Sequence, residues 1–213
     1  MKYIFLHGLG QMSQDWRQTR ESLMIDTNDI LCPNLSDWIV DIEVNYFTLY
    51  QKMEEYCAQF DEPLNLCGLS LGGVLAMQYT IDHPDKVHSL VLIGSQYCMP
   101  KMLLNLQNII FHFMPDAMFS KIGFSKSDFI NLCKSMKHLD FTNDLNRISC
   151  PTMIIFGEKD LINKKAAYDL NSKIENSKIK VILDSGHEVN KDAPITLSAA
   201  LNNFYNELLC FES

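Results

Sequence analysis

Among the 213 residues there is no uninterrupted apolar run long enough to cross a bilayer, which takes about 20 such residues as a helix. The longest apolar-leaning stretch, Met99 to Phe119, is broken by Lys101, Asn105, Gln107, Asn108, His112, Pro115 and Asp116. The apolar residues Tyr3 to Leu6 are too few for the core of a secretion signal. A cytoplasmic chain with no membrane partner is therefore the expectation. Basic charge is short as well: 18 Lys and Arg stand against 26 Asp and Glu, for a net charge of −8. A surface of that sign repels phosphate backbones, which argues against nucleic acid as a partner. The seven cysteines (Cys32, Cys57, Cys67, Cys98, Cys133, Cys150 and Cys210) are odd in number and scattered, with no C-x-x-C pair or other close metal-ligand spacing. They read as buried thiols in a reducing compartment. Repeats, low-complexity tracts and linkers are missing too, so residues 1–213 read as a single domain.

What is present is ordinary globular material, 47% hydrophobic and 21% charged, in a chain long enough to bury about 70% of its unfolded surface. Short aliphatic runs alternate with amphipathic stretches, the pattern of a parallel sheet flanked by helices. The expected strands are Tyr3 to Leu6, Ile30 to Cys32, Leu64 to Cys67, Val87 to Ile93, Thr152 to Phe156 and Lys178 to Leu183. Their hydrophobicity is continuous rather than alternating, as in strands covered on both faces. Helices are expected over Asp15 to Met24, Val44 to Phe60, Leu71 to His83, Lys164 to Lys173 and Pro194 to Leu209, the last capped by Asp192. One interval breaks the rhythm. From Ser95 to Arg147 there is no clear strand but much Leu, Ile, Phe and Met, which reads as a helical lid inserted at about residues 96–146.

The chemistry gathers at strand ends. Gly68-Leu69-Ser70-Leu71-Gly72 lies between an expected strand and an expected helix. A serine nucleophile at such a turn takes a strained backbone conformation, and glycines two residues to either side remove colliding side chains. Glycines so placed around a serine arise by chance in about one chain of this length in ten, at an ordinary glycine frequency of about 7%. The strand-to-helix context must therefore carry the assignment.

A serine hydroxyl needs a base within reach, itself oriented by a carboxylate. His187, just after the last expected strand, is the best placed of six histidines. Asp160 follows the strand Thr152 to Phe156 and is the expected acid, with Glu158 and Asp184 as alternatives and a helix cap as its competing role. The negative oxygen of an acyl-transfer transition state needs two preorganised donors. The N–H of Leu71, after the nucleophile, is one, and the N–H of Leu9, in the turn His7-Gly8-Leu9-Gly10, is the expected second.

Together these segments resemble the α/β-hydrolase superfamily: the His-Gly turn, the elbow at Gly68 to Gly73, Gly157-Glu158-Lys159-Asp160 and Gly186-His187 occur in that family's order of nucleophile, acid and histidine. The approach Asp144 to Thr152 is similar as well. The resemblance implies the α/β-hydrolase fold, with a mostly parallel sheet of about six strands, helices on both faces and a helical lid. Relatives usually have two strands before the His-Gly turn, whereas here the first expected strand begins at residue 3, so a trimmed sheet of six strands is the expectation. Where relatives often carry Glu two residues before a proline, this chain has Asp192.

The constellation implies acyl transfer to water with no metal or organic cofactor, on a small-molecule ester. The apolar lid favours acyl groups of small to medium size, with Met99, Phe113, Met114 and Met118 as candidate substrate contacts. It has no arginine before Arg147, which weakens the case for a substrate carried on CoA or a carrier protein. The resemblance spans esterases such as carboxylesterases and pimeloyl-carrier-protein methyl esterases. Lactonases and carbon–carbon bond hydrolases using the same three residues are the alternative, and a non-catalytic ligand-binding relative is a further one. Fold alone does not choose among them.

Overall fold

A computed structural model of the protein describes residues 1–40, 42–99, 119 and 124–211. Six strands form one all-parallel sheet: β1 (Tyr3–Leu6), β2 (Ile30–Leu31), β3 (Leu64–Leu69), β4 (Val87–Ile93), β5 (Thr152–Gly157) and β6 (Ser177–Ile182). Their order across the sheet is β2-β1-β3-β4-β5-β6. The chain thus starts near one edge, steps outward once and then proceeds the other way. That reversal leaves a crevice between the carboxyl ends of β1 and β3, where ligands of open α/β sheets bind.

Continuous hydrophobicity has the expected cause, since both faces of the sheet are covered. Ile4, Leu6, Leu66, Leu92 and Ile154 face a core shared with α2 (Tyr46–Cys57) and α3 (Leu71–Asp82). Phe5, Cys67, Val91, Ile93 and Ile155 face a second core, with Trp16, Leu197, Leu201 and Phe204. Burying each such side chain contributes about 1.5–3 kcal/mol relative to exposure. The sheet margins differ from its centre. β2 has only two residues, and β6 alternates, exposing Lys178 and Lys180.

The helix ends follow local chemistry. The expected helix from Asp15 is instead a 3₁₀ turn, Ser13–Trp16, running into α1 (Arg17–Glu21), because the Asp15 carboxylate accepts the Met12 N–H at 2.8 Å and winds the chain earlier. Asn45 and Thr48 form a capping box at the start of α2. Between β4 and β5 lies α4 (Lys126–Met136), capped by Ser125 and Asp128, which buries Phe129, Leu132, Cys133 and Met136. Within the interval where a lid was expected, about residues 96–146, Cys98 and Asp140 form an antiparallel bridge, with Met99 N–H donating to Leu139 O at 3.0 Å and Phe141 N–H to Tyr97 O at 2.8 Å. After β5 come α5 (Leu161–Lys173), then α6 (Val189–Asp192) and α7 (Pro194–Phe211) beyond β6.

Two expectations need correction. Asp192 ends α6, and its carboxylate accepts the Gly186 N–H at 2.7 Å, so it braces the turn before His187 where a cap on α7 had been expected. No disulfide links the seven cysteines, but only Cys57, Cys67, Cys133 and Cys150 are fully buried, while Cys98 and Cys210 are exposed. Burial pushes the Cys57 thiol up to about 12 and Cys133 and Cys150 to about 11, against reactivity. Among the described residues no helix is long and apolar enough to cross a membrane.

Candidate active site

The strand β3 ends at Leu69 and α3 starts at Leu71, leaving Ser70 alone at the corner. Its φ of 52° and ψ of −115° are backbone values that cost on the order of 1–3 kcal/mol for a residue with a side chain. The corner is held from both sides: Ser70 N–H donates to Ile93 O at 2.8 Å, and Ser70 O accepts from Val74 N–H at 3.0 Å. The flanking glycines are there for space. A β-carbon at Gly68 would lie 2.3 Å from Gly72 O, and one at Gly72 would lie 2.3 Å from Leu6 O. The helix start is thereby pressed against β1.

Across the crevice, residues Gly8 to Gln11 form a tight turn closed by Gln11 N–H to Gly8 O at 3.1 Å, with Gly10 at φ 88°. Leu9 occupies its first central position, whose N–H a β-turn leaves unused. Gly8 sits beside the nucleophile, since a β-carbon there would lie 3.4 Å from the Ser70 β-carbon. Leu71 opens α3, and the first amides of a helix have no carbonyl of their own to meet. Both expected oxyanion donors therefore border the crevice that holds Ser70.

His7, fully buried beneath this turn, has an assignable tautomer. Leu35 N–H donates to its Nε2 at 3.0 Å, so Nδ1 carries the proton and donates to Gly8 O at 2.9 Å. Burial lowers its pKa and keeps the ring neutral.

Asp160 and His187 meet as expected. Asp160 Oδ2 lies 2.8 Å from His187 Nδ1, with the carboxylate side chain 5% exposed and the imidazole 40% exposed. Burial acts to raise the Asp160 pKa, but hydrogen bonds from His187 and then Asn163 outweigh it and hold the carboxyl below the usual aspartate range. An ionised carboxylate only accepts, so Nδ1 carries a proton and donates to Asp160, with Asn163 Nδ2 also 3.1 Å from Nδ1.

The competing role for Asp160 is also real. It caps α5, Oδ1 accepting the Asn163 N–H at 3.3 Å, which is why that helix starts three residues before its expected position. The alternative acids do not meet the histidine: Glu158 accepts the Asp184 N–H at 3.1 Å, and Asp184 pairs with Lys159 at 3.3 Å on the surface.

Gly94 joins the two halves. It follows Ile93, the acceptor for Ser70 N–H, and its φ is 55°. A β-carbon there would stand 2.9 Å from His187 Nδ1 and 3.3 Å from Asp160 Oδ2. The imidazole thus rests on the strand end next to the one that bears Ser70.

Several participants escaped the sequence reading. Asn163, 7% exposed, donates through Nδ2 to both Asp160 oxygens, at 2.9 and 2.8 Å, and its Oδ1 accepts from Gln96 at 2.8 Å. The signal was available, since an N-cap aspartate looks for a partner three residues on. Gln11 and Asn190, both buried, had no such signal. Of the candidate substrate contacts, Met99 is 5% exposed and packs within the first core. Phe113, Met114 and Met118 lie outside the described residues. No group of three or more His, Cys, Asp or Glu that could hold a metal occurs among the described residues.

Comparison with known proteins agrees with this architecture. The family described as the alpha/beta hydrolase fold matches residues 60–125. Pimeloyl-[acyl-carrier protein] methyl ester esterase of Aeromonas hydrophila is 31% identical over 97 residues, which cover 45% of this chain and 38% of that protein. The enzyme of the same name from Neisseria meningitidis is 25% identical, with 66% of this chain and 56% of that protein covered. The matches therefore span less than two thirds of either relative. MenH from Staphylococcus aureus superposes with a TM-score of 0.77 over 98% of this chain and 94% of its own, at 17% identity. The chain has the α/β-hydrolase fold, and over part of its length it is similar to methyl ester esterases.

Proposed function

We propose that the protein is a serine hydrolase that cleaves carboxylic esters of small to medium acyl groups through an acyl-enzyme on Ser70. The observation that carries this reading is the 2.8 Å Asp160–His187 pair seated on Gly94, beside a serine held at φ 52°. With Nδ1 protonated, His187 Nε2 takes the Ser70 proton as Oγ attacks the ester carbonyl. The oxyanion forms between the N–H groups of Leu9 and Leu71. The tetrahedral intermediate collapses, His187 delivers its proton to the leaving alcohol, and the acyl group stays on Ser70. A water enters, His187 removes its proton, and the acid departs to regenerate the serine. Asp160 holds the ring in the working tautomer throughout and stabilises the imidazolium that forms twice.

The similarity to two methyl ester esterases supports an ester as the scissile bond. Labelling with a fluorophosphonate tests the reading. Ser70 is modified in the wild type and Ser70→Ala abolishes labelling; an unlabelled wild type defeats the proposal. A chain-length series of nitrophenyl esters beside a lactone and a β-diketone then tests the bond. Hydrolysis of short and medium esters is expected, and uniform inertness toward esters would overturn the substrate assignment.

A further inference from the structure

We infer that Gln11 and Asn190 form a positioning clamp that sets the distance between the oxyanion turn and the loop carrying His187; the inference rests on the reading of Ser70 as nucleophile. The two side chains are each 1% exposed and face one another amide to amide. Gln11 Nε2 donates to Asn190 Oδ1 at 3.0 Å, and Asn190 Nδ2 donates back to Gln11 Oε1 at 3.2 Å. Each amide has a further partner on the opposite wall. Gln11 Nε2 donates to Glu188 Oε1 at 3.0 Å, while Gln11 Oε1 accepts the Gly8 N–H at 3.3 Å. Asn190 Nδ2 reaches Asp15 O at 3.3 Å.

The placement gives these bonds their meaning. Gly8 directly precedes Leu9, and Glu188 directly follows His187. One glutamine side chain therefore touches the neighbour of an oxyanion donor and the neighbour of the base, on segments 177 residues apart. The other oxygen of Glu188 accepts from Lys191 at 3.0 Å, so the carboxylate is itself steadied.

Stability does not demand this arrangement. Replacing a satisfied buried polar pair by apolar groups of similar shape is often neutral or favourable, whereas deleting one partner strands the other. Apolar packing resists compression but tolerates sliding, while hydrogen bonds fix direction. A site whose base and oxyanion donors sit on separate loops needs that direction, because a misplacement of about 1 Å can cost about 10²-fold in rate. The clamp differs in kind from the Asp160–Asn163 contacts, which orient the imidazole about its own axis and leave the loop-to-loop spacing to other groups.

The test uses Gln11→Leu, Asn190→Leu and the double variant, assayed on a nitrophenyl ester that the wild type hydrolyses. Each single variant is expected to lose about 10- to 100-fold in kcat, with KM changed by no more than about two-fold. A trifluoromethyl ketone, which presents an oxyanion to the site, should weaken in step with kcat/KM, since only transition-state binding is affected. The double variant separates positioning from folding and remains informative if a single variant does not fold. Its melting temperature should return toward the wild type, with neither side-chain amide left facing an apolar replacement, while kcat stays low. Recovery of kcat along with melting temperature would make the pair a structural cross-link and overturn the inference, with fluorophosphonate labelling of Ser70 intact. A wild type inert to fluorophosphonate would remove the reading of Ser70 and the clamp with it.

Discussion

The two halves of the site are built from different materials. On the β1–β3 side, Ser70, Leu9 and Leu71 are placed by the backbone: a strained corner, a tight turn, and glycines where a β-carbon would meet a carbonyl at 2.3 Å. On the β5–β6 side, Asp160 and His187 share the space that Gly94 leaves open, and beyond that seat they are placed by other side chains, through Asn163, Asp192 and Glu188. A half held by backbone fails by steric exclusion and takes the fold with it. A half held by side chains fails by lost charge or lost hydrogen bonds, and the fold survives.

The largest expected effect tests the side-chain half. Asp160→Asn keeps an N-cap for α5 but presents an amide to His187 Nδ1, favouring the wrong tautomer; under the proposed mechanism kcat should fall by about 10⁴-fold, the loss this change causes in serine triads, with an unchanged circular dichroism spectrum. An active Asp160→Asn enzyme would break the distinction. Next comes Gly72→Ala on the backbone half, where the added carbon meets Leu6 O. Overpacking costs about 1–3 kcal/mol and more against backbone, so soluble yield and melting temperature should drop. Fluorophosphonate labelling per folded molecule should stay near that of the wild type.

Asn163→Leu sharpens the comparison at smaller scale. Hydrogen bonds to a charged group contribute about 1.5–3 kcal/mol, so kcat should fall by about ten-fold. Asp160 would lose one of the two partners that hold its pKa down. A carboxyl with a lowered folded pKa stabilises the fold above its unfolded value, about 3.9, and loses that contribution as pH falls through the folded value. Acid unfolding of Asn163→Leu should accordingly set in at higher pH than in the wild type, as monitored by tryptophan fluorescence.

His7 yields the smallest effect. Its ring is buried and neutral, with a lowered pKa. The unfolded chain binds a proton near pH 6.5 that the folded chain refuses. Stability is therefore full above that pH and declines below it. Melting temperature should drop between pH 7.5 and pH 5.5, by less in His7→Gln.

Much of this was legible in the residues themselves, and the backbone half more so. A corner that excludes side chains must be written in glycine, so Gly68 and Gly72 announced Ser70, and continuous aliphatic runs announced strands covered on both faces. Asp160 and His187 could be read from their positions after strands. Their helpers could not, because a glutamine at position 11 and an asparagine at 190 become partners only when the sheet brings β1 and the segment after β6 together. Asn163 was missed for another reason: it sits inside a helix whose start was placed three residues late, so the signal that an N-cap Asp160 gives for position 163 went unread. Asp192 was misjudged because an aspartate two residues ahead of a proline in a helix's first turn reads as a cap, while its carboxylate accepts backward from Gly186.

The sheet's margins, a two-residue β2 and a lysine-bearing β6, bear on how copies of the chain meet one another. An open parallel sheet offers unsatisfied amides along both borders, an invitation to anneal with a neighbour during synthesis or at high concentration. Here one border is too brief to template a partner, and on the other Lys178, paired with Glu207, and Lys180 would have to surrender their hydration. Neither border therefore offers a second copy of the chain a long, dry strand to pair with.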